Sequence, residues 1–110
     1  MKAVAWGSVT TYGGGTPKIE SSSGNFEVTR LGKGLYTIYF TSATFTKIPA
    51  FVVTQQFSGS STWGDFSSAG GDTKDNAVIV ALSSTQAKIK TGEQGGNASD
   101  RNFSFIAIGD

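Results

Sequence analysis

From Gly24 to Phe57 the chain reads GNFEVTRLGKGLYTIYFTSATFTKIPAFVVTQQF, two alternating stretches around Gly-Lys-Gly and then a proline-marked entry into a third. Phe26 and Val28 fall on one side of an extended chain and Glu27 and Thr29 on the other, while Tyr36, Ile38 and Phe40 share a face opposite Leu35, Thr37 and Tyr39. That is the period of a strand, not of a helix. Gly32 and Gly34 supply the positive φ angles of a tight hairpin, so the two strands should pair antiparallel.

The rest of the sequence repeats the pattern. Ala3 to Val9 alternates, and Thr11 to Gly24 is a Gly- and Ser-rich loop that can hold a short edge segment around Lys18 to Glu20. Thr41 to Lys47 crosses over to a strand from Ala50 to Phe57. Ser58 to Asn76 is polar, Gly-rich and long enough to invite function. Ala77 to Leu82 is a continuous apolar run, AVIVAL, and is expected to be a central strand covered on both faces, with Ile79 buried. Ala87 to Thr91 and Asn102 to Ile108 follow, separated by the loop Gly92 to Arg101. Trp6, Phe45 and Phe51 are expected to pack in the core. The expectation is an all-β, antiparallel β-sandwich of about seven strands. Residues 1–110 make a single domain, since 110 residues build one modest core.

Composition narrows function mostly by exclusion. Nine Lys and Arg against eight Asp and Glu give a net charge of +1, and the basic residues are scattered singly. Nucleic acid is therefore not expected as a partner, because phosphate binding needs a concentrated basic footprint. The chain has neither Cys nor His. Disulfides, thiolate nucleophiles and Cys-held zinc are excluded, and the usual general base near neutral pH is missing. No apolar stretch approaches the roughly 20 residues that span a bilayer, so membrane insertion is not expected. Lys2 begins in mid-pattern, which leaves open whether Met1 starts a fragment of a longer protein.

The order GLYTIYF, FTKIPAFVVT, AVIVALSSTQAKIKT and NFSFIAIG, preceded by NFEVTRLGKG, resembles the H-type lectin-like β-sandwich modules, including those at phage tail-fibre tips and on secreted bacterial proteins. The likeness runs over residues 24 to 109. It implies a homotrimer of six- or seven-stranded sandwiches, located outside the cell or on a virion surface, with ligand sites on loops at one end. In the lectins the loop before the last strand carries an aromatic residue and a His. Here that loop, Glu93 to Arg101, has neither, so the galactosamine-type contacts are not expected to carry over.

Candidate site residues lie in two loops. Trp63, Asp65 and Phe66 put aromatic faces beside a carboxylate, which suits sugar C–H groups and hydroxyls; alternatively Trp63 anchors a long loop. Asn97, Asp100 and Arg101 could bond a polyol, or form an Asx turn with a surface ion pair. Asp65, Asp72 and Asp75 match no dedicated calcium spacing, and no metal or cofactor is expected. Gly13 to Gly15 lacks the Lys-Ser or Lys-Thr of a phosphate cradle. Asn97-Ala98-Ser99 fits a glycosylation acceptor. No carboxylate pair is placed for glycoside hydrolysis, so an enzyme is not expected. The reading is a module that binds carbohydrate or a cell-surface receptor; the alternative is a structural trimerisation or capping domain.

Overall fold

The structure, a computed structural model, describes residues 2–57 and 63–110. Eight strands occur in chain order: β1 (Ala3–Thr10), β2 (Lys18–Ser22), β3 (Phe26–Gly32), β4 (Leu35–Phe40), β5 (Ala50–Gln55), β6 (Ala77–Leu82), β7 (Gln86–Thr91) and β8 (Phe103–Gly109). A single 3-10 turn at Tyr12–Gly14 interrupts the first loop. The strands form two four-stranded sheets, one in the order β2-β1-β8-β5 and the other β3-β4-β7-β6, and every pairing is antiparallel. The all-β reading holds, with the segment around Lys18 paired as a strand.

Alternation decides what lies between the sheets. The inward residues Ala5, Val9, Phe103, Phe105, Ala107 and Phe51 of the first sheet meet Phe26, Tyr36, Ile38, Phe40, Ala87 and Ile89 of the second, and all are buried. Phe105 receives the edge of Phe26 at 4.8 Å between centroids and stacks on Phe51 at 5.4 Å. Each such ring contributes about 2 kcal/mol through removal from water. Gly7 has no side chain because Phe26 occupies the space: a Cβ there would sit 2.3 Å from its ring.

Hairpin β3–β4 turns as its glycines suggest, but only Gly34 adopts a positive φ, +68°, while Gly32 takes part in a register shift. Gly34 is also hemmed in, since a Cβ would lie 2.6 Å from the Thr91 carbonyl oxygen and 2.8 Å from the Ser99 nitrogen.

Two expectations fail. AVIVAL is not central: β6 is the edge of its sheet, only Ala77 in it is buried, and Ile79 is 42% exposed. An unbroken apolar run shows that both faces are apolar, not that both are covered, and a register shift between Ile79 and Ala81 interrupts the pairing of this edge with β7. Trp6 is not core either. It stands 40% exposed on the outer face of the first sheet, with Val4, Val52, Ile106 and Ile108 also exposed there.

The register fixes two poles. Ala3 pairs with Gly109, and Ala50 with Ile108, so both ends of the described chain lie at one pole. Gln55 pairs with Phe103, Ala77 with Thr91 and Leu35 with Lys90, so residues 56–57, the loops 63–76 and 92–102 and the Gly34 turn lie at the other.

Candidate functional site

The loop pole is built on one carboxylate. Parity along β3 places Arg30 on the inward side with Phe26 and Val28, directly across from Tyr36 on β4. Two polar groups thus point into the end of an apolar core, and Asp100 closes over them. Its Oδ1 accepts from Tyr36 Oη at 2.5 Å, Gly34 N at 2.9 Å and Arg30 Nε at 3.2 Å, and its Oδ2 accepts from Arg30 at 2.9 Å. Burial disfavours the Asp100 carboxylate, but the bonds from Arg30, Tyr36 and Gly34 outweigh it and hold the pKa below the ordinary value of 3.8. The Tyr36 phenol is pushed well up, first by burial and then by its bond to Asp100. The Arg30 guanidinium is raised, chiefly by its hydrogen bond to the same carboxylate.

Around that centre the loop 92–102 is stitched to its neighbours. The Gln55 side chain bonds both the N–H and the carbonyl of Gly92, at 3.1 and 2.6 Å. Thr91 Oγ1 donates to the Ser99 carbonyl at 2.5 Å. Buried Asn102 accepts from Thr11 N at 2.9 Å and donates to Gln56 Oε1 at 2.8 Å.

The six sequence-proposed residues divide accordingly. Asp100 faces inward, and its ion pair is with Arg30 rather than with Arg101, which reaches Ser99 Oγ at 3.3 Å. Asn97 sits on the outer rim, its N–H bonded to Glu93 Oε1 at 3.0 Å. Trp63 is 43% exposed and Phe66 fully so. Asp65 makes an Asx turn, accepting from Ser67 N and Oγ at 2.9 and 2.7 Å, bonds that lower its pKa, the hydroxyl's first. Among the described residues no hydrogen bond or ion pair joins 63–66 to 97–101. Gln56 lies near both loops, its side chain approaching Gly64 and bonding Asn102.

Several pole residues escape the sequence reading. Arg30 had a usable signal, since its parity with Phe26 and Val28 sends it inward. Phe57 had none: residues 70 and 71 lie against its ring, which gives the loop an anchor other than Trp63. A pocket of about 300 Å³ on the rim gathers Asn97 with Lys74, Asn76, Lys90 and Glu93, side chains separated by up to 23 positions in the chain. Among the described residues no group of three or more acidic side chains is placed to hold a metal ion.

No protein-family model, no curated protein and no solved structure matches the chain.

Proposed function

We propose that this domain is a carbohydrate- or receptor-binding module that works as a homotrimer outside the cell or on a virion surface, at the tip of a fibre or on a secreted protein. The observation carrying the reading is the separation of the poles: both described ends leave from one, and the loops with exposed Trp63 and Phe66 occupy the other. Any stalk joined at either end would present those loops outward. Exposed aromatic rings cost free energy in water and match the apolar faces of sugars. Asp65, already in its turn, accepts hydroxyl protons beside them.

The trimer in this proposal uses the outer face of β1, β8 and β5. Val4, Trp6, Val52, Ile106 and Ile108 are 40 to 69% exposed there, in a contiguous apolar surface that copies of this chain would cover. A site of one or two stacked rings is weak, in the millimolar range, and three in parallel give the avidity that adhesion needs.

The test is Trp63→Ala on a glycan array and on whole cells, with sedimentation equilibrium alongside. Binding should disappear while the trimer and the melting temperature persist. Retained binding would refute the loop as the site. A wild-type trimer that binds nothing would favour the alternative, a capping or trimerisation module, which the apolar sheet face alone supports.

A further inference from the structure

We infer that the rim pocket beside the Gly92 turn is the specificity subsite of this module, and that it takes an acidic sugar, carboxylated or sulfated. The inference rests on the glycan reading and names its ligand class. Lys74, from the loop before β6, and Lys90, from β7, line one cavity of about 300 Å³. Among the described residues neither ammonium has an ion-pair partner, although the three pairs Lys2–Asp110, Lys18–Glu20 and Arg30–Asp100 engage cations elsewhere. With Glu93 the one carboxylate in the lining, the two lysines leave it net positive, which favours an anion.

The remaining lining suits the rest of a pyranose. Asn76 and Asn97 offer side-chain amides that both donate and accept. Glu93 is the one carboxylate in the lining, and it is held in place: its Oε1 accepts from Asn97 N at 3.0 Å, leaving Oε2 to receive a sugar hydroxyl. Val78, on the edge strand, gives an exposed apolar surface for the C–H face of the ring. The position of Lys90 is set by the ladder, between Leu35 of β4 and Val78 of β6, so half of the charge pair stands on rigid sheet. Lys74 is fixed at its backbone by the Asp72 side chain, 2.9 Å away.

The deciding experiment titrates the intact protein by NMR with sialyllactose, sulfated lactose and lactose, at low and at physiological salt. Either charged sugar should bind about tenfold more tightly than lactose and weaken as salt rises. Lys74→Gln and Lys90→Gln should each lose about fivefold of that affinity, whereas Lys47→Gln, at the opposite pole, should lose none. Both target lysines are exposed, so the variants will fold. Lactose binding as tightly as the charged sugars, with both lysine variants unchanged, overturns the inference and leaves the glycan reading intact. Failure of all three sugars to bind, with no signal on a broad glycan array, overturns both together.

Discussion

Loops 63–76 and 92–102 lie at the same pole and look alike in sequence, each rich in Gly, Ser, Asp and Asn, yet they are held in opposite ways. Among the described residues the hydrogen bonds of 63–76 span two or three residues: Asp65 to Ser67 and Ser68, Ser68 to Gly70, Asp72 to Lys74 and Asp75. Those of 92–102 include local bonds too, but others reach Thr11 just after β1 and the strands β3, β4 and β5, over separations of up to 91 residues. One loop is therefore part of the fold, and the other rides on it. Polar residues of identical type serve as structure where a buried donor faces them and as free surface where none does.

The contrast breaks most directly at Asp100. Asp100→Ala takes from Arg30, Tyr36 and Gly34 the carboxylate they share at the end of the core and should cost about 3 kcal/mol, read by urea denaturation. A loss below about 1 kcal/mol would mean that the loop is not structural. Gly34→Ala should cost about 2 kcal/mol, from its positive φ and its contact with the Thr91 carbonyl, and would show as a lowered melting temperature.

Acid sharpens the same point. Because folding depresses the Asp100 pKa, its stabilisation is full above the unfolded value near 4 and is lost as pH falls below it. Tyr36 has the opposite sign: its pKa is raised, so its contribution is full below the unfolded value near 10 and is lost above it. Stability measured against pH should fall at both ends, and Asp100→Asn should remove the Asp100 part of the acid limb.

Smaller effects lie away from the stitched loop. Ile79→Asp, on the exposed edge, should cost about 1 kcal/mol or less by urea denaturation; several kcal/mol would return β6 to the interior. Trp63→Ala should change the melting temperature least of all, since Phe57 supplies a contact for its loop.

The alternation of β3, β4, β7 and β8 was readable because each strand has one face against a core, so period two is printed in the residues. Hairpin β3–β4 was readable for the same reason, with Gly34 marking its turn. The position of β6 was not: edge and centre differ in what lies beside a strand, which its own residues do not record. The loops marked the functional pole, but their chemistry was only half legible. Asp100 looked like a ligand group because its true partners, Arg30, Gly34 and Tyr36, are 64 to 70 residues away. The rim pocket was invisible for a similar reason, as Lys74 and Lys90 become neighbours only through the β6–β7 pairing.

The pairing of β1 with β8 sets the order in which this molecule can assemble. Pairs β1–β2, β3–β4 and β6–β7 close short segments and can zip as soon as they exist, whereas the second edge of β1 must wait for a strand roughly a hundred residues later, a closure that costs about 4 kcal/mol in chain entropy. A ribosome releasing this domain therefore leaves one edge of β1 unpaired, the other being covered by β2, until β8 emerges. Joining the two ends by a short linker and reopening the chain within 63–76 would turn that slowest closure into a hairpin, giving a permutant with the same contacts and a faster route to them.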